Sequence, residues 1–207
     1  MSESTFDRDF YVYDANHRFA PMYPLLARQI VEDLGVSQGL CLDVGTGSAA
    51  VIIELAKITP MAMVGLDAKP EVLELARENV ARHGLPEQRF RFLEADVTAI
   101  PLESGSVDLL ISRGSVPFWD DHVAAFAELY RVLAPGGAGM VGCGFSRYQP
   151  LEEVRAMRPK WTDDGEKDTR NNWKAEGYLP RVLSEAGIAD ATVTMDAYGV
   201  WVTLRKA

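Results

Sequence analysis

The chain has 207 residues, of which 47% are hydrophobic and 25% are charged, and this composition is typical of a single globular domain over residues 1–207. The formal net charge of −9 argues against a broad phosphate-binding face, and therefore against a nucleic acid partner. No apolar run is long enough to span a bilayer, residues 1–10 contain no apolar segment, and only two cysteines are present, so we expect a cytoplasmic protein without a membrane span or disulfides.

Residues 1–35 are predicted to form a loosely attached segment followed by one helix. Four aromatic residues lie in the first thirteen positions, and such rings either cover apolar surface or form a lid over a ligand site. We place Tyr13 and Asp14 nearest to that site. Apolar residues at helical spacing predict the helix at residues 21–34, and Gly35 ends it.

The motif that organises the chain follows at residues 41–50, where a short apolar strand leads into a glycine turn and the start of a helix. Gly45 and Gly47 permit backbone angles that other residues avoid, and they let a ligand approach the main chain. The helix start points free N–H groups at the turn. Asp67 ends the next apolar run about 20 residues beyond the glycines, where a carboxylate binds a ribose diol in nucleotide-binding βαβ units.

Two cofactors fit this motif. The spacing Gly45-x-Gly47-x-x-Ala50 is compatible with a dinucleotide fingerprint, so NAD is one candidate. Asp43 favours S-adenosylmethionine, because a carboxylate two positions before the first glycine suits the ammonium of a methionine moiety, whereas the pyrophosphate of NAD is itself anionic. Alternatively, the Asp43 side chain only ties down the turn.

Three more strands are predicted at residues 90–93, 107–112 and 138–142. Asp96 lies just beyond the first of these strands, where an aspartate without a ligand role would simply begin a turn. Pro70 opens the helix that follows Asp67, so Asp67 lies too early in the chain to be an N-cap. Asp108, at the start of its strand, is predicted to be structural because it lies at the end of the sheet away from the ligand.

Arg113 belongs to the most individual segment, residues 112–119, which leaves the carboxyl end of a central strand, where open α/β sheets bind ligands. Its guanidinium offers a rigid fork of five donors for a carboxylate or phosphate, or else forms an ion pair that anchors the loop. Phe118 and Trp119 are candidate walls of an acceptor pocket, and core packing under the next helix is the alternative.

The remaining segments complete one domain without internal repeats. Residues 146–173 are rich in charged and polar side chains and are predicted to be an insertion that either selects the substrate or forms a solvated face. Cys143, just before it, is either a contact for a soft substrate atom or a small buried residue. A helix at residues 175–186 and a hairpin of strands at 191–195 and 199–204 follow.

These motifs resemble those of the class I S-adenosylmethionine-dependent methyltransferases. The matching stretches, which lie within residues 36–142, are Asp43-Val44-Gly45-Thr46-Gly47, Gly65-Leu66-Asp67, Glu94-Ala95-Asp96-Val97, Ser106-Val107-Asp108-Leu109-Leu110 and Arg131-Val132-Leu133-Ala134-Pro135-Gly136-Gly137. Ala49 departs from the family, because many members carry a third glycine there. A narrower resemblance, over nearly the whole chain, is to small prokaryotic methyltransferases without an assigned substrate.

The resemblance implies an α/β, Rossmann-like three-layer sandwich with a seven-stranded, mostly parallel sheet and an antiparallel last strand. It implies S-adenosyl-L-methionine as cofactor, S-adenosyl-L-homocysteine as product, a small-molecule acceptor and no metal. The cofactor-binding positions that it suggests are Tyr13, Asp43, Gly45, Thr46, Gly47, Asp67, Ala68, Asp96, Val97, Ser112 and Arg113. Asp96 then faces the adenine amino group, the Val97 N–H reaches a ring nitrogen, and Arg113 is also the catalytic candidate.

A methyltransferase can lack an obvious acid–base pair, because its methyl donor carries its own leaving group and transfer needs mainly positioning and desolvation. A soft nucleophile would need least help, whereas an oxygen nucleophile would need a base that the sequence does not identify. An NAD-dependent oxidoreductase and a non-methylating S-adenosylmethionine-binding protein are the alternatives. The acceptor and the oligomeric state stay open.

Overall fold

The computed structural model describes residues 8–13, 17–158 and 169–207. Its helices are α1 (Arg8–Tyr13), α2 (Met22–Leu34), α3 (Ala50–Ile58), α4 (Pro70–Arg82), α5 (His122–Val132), α6 (Leu151–Met157) and α7 (Tyr178–Glu185). Its strands are β1 (Leu40–Val44), β2 (Ala62–Asp67), β3 (Phe90–Glu94), β4 (Val107–Arg113), β5 (Leu133–Gly144), β6 (Ala191–Asp196) and β7 (Gly199–Arg205). None of these helices is long and apolar enough to cross a membrane.

The seven strands form one sheet in the order β3-β2-β1-β4-β5-β7-β6. Strands β1 to β5 run parallel, whereas β7 is antiparallel to both β5 and β6. This arrangement confirms the predicted seven-stranded, mostly parallel sheet with an antiparallel last strand. Because the chain crosses from β3 at one edge to β4 beyond β1, the carboxyl ends of β1 and β4 flank the crevice in which such sheets bind ligands.

Helices cover both faces of the sheet, as the predicted three-layer sandwich requires. On one face, α2 and α3 bury a cluster that includes Leu26, Ile52 and Met63. On the other face, α5 and α7 bury a second cluster that includes Phe126 and Leu183. The helices therefore remove the apolar surface of both faces of the sheet from solvent. This burial is the main stabilising contribution in such a fold.

Three features differ from the sequence prediction. Strand β5 begins at Leu133, earlier than predicted, because Val107 pairs with Leu133 before a bulge shifts the register. Helix α7 begins at Tyr178, later than predicted, because Gly177 before it adopts a left-handed conformation with φ of 75°. The segment predicted to be a charged insertion also contains helix α6, and its Trp173 side chain is buried in the core.

The end of the sheet opposite the crevice is held by Asp108. Its Oδ2 atom accepts a hydrogen bond of 2.7 Å from the Leu40 N–H at the start of β1. This bond confirms the structural role that the sequence predicts for Asp108. Asp108 and Arg113 lie at opposite ends of β4, so one end of this strand stabilises the sheet and the other lies at the crevice.

The N-terminal segment reaches helix α4 on one face of the sheet. Arg8 of α1 forms an ion pair with Glu78 of α4. Residues 1–7 and 14–16 lie outside the described part of the chain, and so does the predicted contribution of Asp14 to the ligand site.

Candidate active site

The glycine turn folds back over the end of β2. Gly45 and Gly47 both have left-handed backbones, with φ of 67° and 55°. The Gly45 and Thr46 N–H groups donate to the Leu66 carbonyl oxygen, at 2.8 and 3.0 Å. A Cβ atom on Gly45 would lie 2.3 Å from the Ser115 Cβ, so the position needs glycine for space as well as for conformation.

Ala49, which follows this turn, is in a strained conformation. Its φ of 61° makes it the one non-glycine residue with a positive φ among residues 8–13, 17–158 and 169–207. The alanine methyl fits the space, because the residue is fully buried in the apolar cluster under α3. The left-handed backbone explains why a third glycine is common there in the family that the sequence resembles, since glycine adopts this conformation without steric cost.

Asp43 is a buried carboxylate at the mouth of the crevice. It is 2% exposed, and within the described chain its one hydrogen-bond donor is the Thr46 hydroxyl, 2.9 Å from Oδ2. Burial raises the pKa of the Asp43 carboxyl to about 7, with a smaller contribution from the charge of Asp67 and against the effect of the Thr46 bond. A buried carboxylate with a single donor is stabilised by a cation, so this site fits a ligand ammonium.

The Asp67 side chain, at the end of β2, is hydrogen-bonded to the glycine turn. Its Oδ2 atom accepts from the Gly47 N–H and its Oδ1 atom from the Lys69 N–H, each at 3.2 Å. Lys69, not Asp67, is the N-cap of α4, as the position of Pro70 predicts. Burial raises the pKa of the Asp67 carboxyl against the opposing effect of these N–H groups. Asp67 therefore holds the backbone around the turn, and its contact with a ribose stays a prediction.

Asp96 and Val97 follow β3 beside Asp67. The Asp96 Oδ1 atom accepts from the Thr98 N–H at 2.8 Å and from the Thr98 hydroxyl at 2.5 Å, so Asp96 does begin a turn. The Ala95 N–H donates to the Asp67 carbonyl oxygen at 3.2 Å and brings the two strand ends together. Asp96 is exposed and Val97 is buried, which leaves the acidic residue at the surface of the crevice.

Ser112 holds the end of β4 against the end of β1. It is fully buried, and its hydroxyl oxygen lies 2.5 Å from that of Ser115. The Ser115 hydroxyl also approaches the Val44 carbonyl oxygen, at 3.2 Å. The Ser112 side chain is thus engaged in positioning the loop after β4, a contact that its place in the sequence does not reveal.

Arg113 packs against two aromatic rings that also contact each other, with ring centroids 6.2 Å apart. The centre of its guanidinium is 4.4 Å from the Phe19 ring centroid and 5.7 Å from that of Phe145, and its Nε–H donates to the Gly144 carbonyl oxygen at 3.4 Å. It forms no ion pair with any residue that the structure describes. The loop-anchoring ion pair considered from the sequence is therefore not observed in this part of the chain, and the guanidinium keeps donors for an anionic ligand.

Of the aromatic side chains predicted to lie at the ligand site, two are exposed and one packs on a helix. Tyr13 is 57% exposed and stacks on His17, with ring centroids 4.9 Å apart. Phe118 is 70% exposed, which excludes core packing for its ring. Trp119 instead packs edge-on against Phe126 of α5, at 5.8 Å. Cys143, the other candidate on the acceptor side, is half-buried.

A hydrogen-bonded pair that sequence reasoning missed supports the loop after Arg113. The His122 Nε2–H donates to the Val116 carbonyl oxygen at 3.0 Å, which leaves Nδ1 of the neutral ring as an acceptor for the Tyr178 hydroxyl at 2.9 Å. Helices α5 and α7 thereby fix the same loop. No signal in the sequence links these residues, because they meet only when the two helices pack together.

Comparisons with known proteins agree with this geometry. A family model described as a methyltransferase domain matches residues 42–149. A crystal structure of a candidate S-adenosyl-L-methionine-dependent methyltransferase from Methanococcus maripaludis superposes with a TM-score of 0.82 and 31% identity, and the match covers 100% of this chain and 97% of that one.

Two curated relatives are longer than this chain. An uncharacterized protein of Mycobacterium tuberculosis is 31% identical over 179 residues, which are 84% of this chain and 62% of the relative. A demethylmenaquinone methyltransferase of Thermus thermophilus is 39% identical over 97 residues, which are 46% of this chain and 43% of the enzyme. The matches therefore span less than two thirds of either relative.

Proposed function

Since this chain belongs to the family of S-adenosylmethionine-dependent methyltransferases, we propose that it transfers the methyl group of S-adenosylmethionine to a small-molecule acceptor. The observation that carries this proposal is Asp43, a buried carboxylate beside a glycine turn with one hydrogen-bond donor in the described chain. A cationic amino acid moiety stabilises such a group, whereas the pyrophosphate of a dinucleotide would repel it.

The cofactor would be held along the carboxyl ends of β1, β2 and β3. Asp43 would receive the ammonium group and Asp67 the ribose hydroxyls. Asp96 and the Val97 N–H would receive the adenine. The glycine turn supports this assignment, because its left-handed residues bring the main chain to the surface of the crevice without side chains in the way.

When bound, S-adenosylmethionine supplies an activated methyl group together with the sulfur that leaves. The protein's own residues would then hold the acceptor atom in line with that methyl group and exclude water around it. The rigid support of the loop after β4, through Ser112, Ser115 and His122, serves this positioning. No proton transfer by these side chains is needed for a soft or already ionised acceptor.

Arg113 would orient an acidic acceptor, or else the carboxylate of the cofactor. Its guanidinium packs against the neighbouring Phe19 and Phe145 rings, and rings in contact with a cation exclude water and strengthen its attraction for an anion. The relative from Thermus thermophilus is named for the methylation of a quinone, which is in keeping with a small-molecule acceptor here.

Mass spectrometry on a panel of candidate acceptors tests this function. The protein is incubated with S-adenosylmethionine and small acidic, phenolic and thiol compounds, and both S-adenosylhomocysteine and methylated product are measured. We expect equal amounts of the two from at least one acidic acceptor. Tight binding of S-adenosylmethionine without turnover on any member of a broad panel would favour a non-catalytic binding protein.

A further inference from the structure

Helix α4 contacts the cofactor turn at a point far from its own start. The Asn79 Nδ2–H donates a hydrogen bond of 2.8 Å to the carbonyl oxygen of Ser48, which lies between Gly47 and the strained Ala49. Asn79 is 3% exposed, so no solvent competes for this bond. The apolar periodicity of the sequence places Asn79 on the inner face of the helix but does not indicate this contact.

The backbone of Asn79 is itself fixed. The His83 Nδ1–H donates to the Asn79 carbonyl oxygen at 2.8 Å, and the His83 backbone N–H donates to the same oxygen at 3.2 Å. At the other end of α4, the Lys69 N–H is bonded to Asp67. Helix α4 is therefore a rigid support from which one side chain reaches the turn.

Two peptide groups of the turn, on either side of the Gly47–Ser48 peptide, are hydrogen-bonded to side chains from this side of the fold. Asp67 accepts from the Gly47 N–H, and Asn79 donates to the Ser48 carbonyl. Together they set the orientation of the peptides that precede Ala49, whose left-handed backbone is unfavourable by about 1–2 kcal/mol for a residue with a side chain. Strain of this kind persists only where surrounding contacts hold it in place.

The Asn79 side chain carries a cost of its own in stability. Its Oδ1 atom is buried and has no hydrogen-bond partner in the described structure. An unsatisfied buried acceptor is costly, whereas a leucine at an apolar helix face would contribute packing. The benefit that remains is the bond from Nδ2 to the turn.

We propose that Asn79 is a positioning residue for the cofactor, acting through the Ser48 carbonyl to hold the glycine turn in its binding conformation. This inference rests on the proposed function, because it assigns the turn to S-adenosylmethionine. It adds a residue from the last turn of α4 to the cofactor site. It also explains how the turn keeps its conformation with alanine at the position where many family members carry a third glycine.

Calorimetric titration of S-adenosylhomocysteine into Asn79→Leu tests the proposal. The substitution removes one orphaned acceptor, Oδ1, and creates another, the Ser48 carbonyl, so we expect an unfolding temperature close to that of the wild type. The affinity should nevertheless fall by about three- to tenfold, the value of one lost hydrogen bond. Val80→Ala is the matched control, because Val80 is buried on the same helix but packs in the apolar cluster. It should lower the unfolding temperature and leave the affinity unchanged.

Asn79→Asp adds a readout that a purely structural role would not move. The carboxylate that this substitution introduces cannot donate to the Ser48 carbonyl when it is ionised, whereas the protonated acid can, and burial favours the protonated form. His83 and Glu54 line the small cavity beside Asn79 in the variant and in the wild type alike, so the ratio compares the two side chains at position 79. The ratio of variant to wild-type dissociation constants should therefore approach one as the pH falls.

The outcomes separate this inference from the proposed function. If the wild type does not bind S-adenosylhomocysteine, the proposed function fails. If the wild type binds it and Asn79→Leu binds it equally well, or loses affinity only in proportion to a loss of stability that Val80→Ala reproduces, the positioning role is overturned. A pH-independent ratio for Asn79→Asp would also overturn it.

Discussion

The Thr46 hydroxyl donates to the Oδ2 atom of Asp43 at 2.9 Å and is the one donor to this buried carboxylate among the described residues. Burial raises the pKa of this carboxyl to about 7, and the Thr46 bond offsets that effect only in part. Because a bound ammonium favours the ionised form, ligand binding and proton release must be linked at this residue.

The affinity for S-adenosylhomocysteine should rise with pH up to about 7 and level off above it. Below this value Asp43 is protonated in the free protein and must release its proton to pair with the ammonium, which lowers the affinity by up to about tenfold per pH unit. Calorimetry near pH 6 in two buffers of different ionisation enthalpy should detect the released proton. Affinity that is constant between weakly acidic and weakly alkaline pH would exclude this pairing.

The free protein should respond to pH in the opposite sense. In the unfolded chain Asp43 titrates at about 4, so between about 4 and 7 the folded state keeps a proton that the unfolded state has released. The contribution of Asp43 to the free energy of unfolding is therefore fully present below this window and is lost as the pH rises through it. Asp43→Asn should remove this part of the pH dependence in denaturant titrations of the ligand-free protein.

At neutral pH, Asp43→Asn should keep the fold and weaken S-adenosylhomocysteine binding by roughly 1.5–3 kcal/mol, the usual contribution of a hydrogen bond to a charged group. Asp108→Asn is the matched control, since Asp108 is bonded to the Leu40 N–H at the opposite end of the sheet. The control should lower the unfolding temperature without changing affinity. Equal losses of affinity in both variants would mean that neither carboxylate contacts the ligand.

Asp67→Ala should weaken binding by roughly 1–3 kcal/mol, because it leaves ligand hydroxyls without a partner. Since Asp67 also holds the Gly47 N–H, a second ligand is needed to separate the two effects. An analogue of S-adenosylhomocysteine without the ribose hydroxyls should bind the wild type more weakly than S-adenosylhomocysteine does. The difference in affinity between the wild type and Asp67→Ala should also be smaller for this analogue. If Asp67→Ala lowers the affinity for both ligands by the same factor, Asp67 acts on the turn alone.

Arg113→Lys should keep the charge and lose the bidentate geometry. If the acceptor is the partner of Arg113, the affinity for the cofactor should hold while turnover falls; if the cofactor carboxylate is the partner, both should fall. Phe19→Leu is the comparison, because it removes a stacked ring but keeps the guanidinium. Unchanged binding and turnover in Arg113→Lys would remove Arg113 from the site.

Much of the scaffold could be predicted from the sequence, because its signals are local. The glycine turn with Asp43 needs only neighbouring residues to be recognised. Pro70 marks the start of α4, and Asp121 caps α5 by accepting from the Ala124 N–H at 2.9 Å. Periodic apolar residues then place the strands and helices between these points.

The contacts that complete the site were not predictable, because they join residues distant in the chain. Nothing near Arg113 in the sequence indicates that Phe19 will stack on it, since that contact depends on how the segment before α2 packs in the folded chain. The bond from Asn79 to the Ser48 carbonyl depends likewise on the packing of α4 against the turn. Trp173 lies in a charged stretch, and only the tertiary fold shows its ring to be buried.

We infer that Asp43 and the glycine turn form a site for S-adenosylmethionine. The most direct test is to measure the unfolding temperature of the whole chain with S-adenosylhomocysteine, NADH and ATP in parallel. A ligand selective for the folded state raises this temperature. We predict a rise with S-adenosylhomocysteine and none with NADH or ATP, whereas a rise with NADH and none with S-adenosylhomocysteine would contradict the claim.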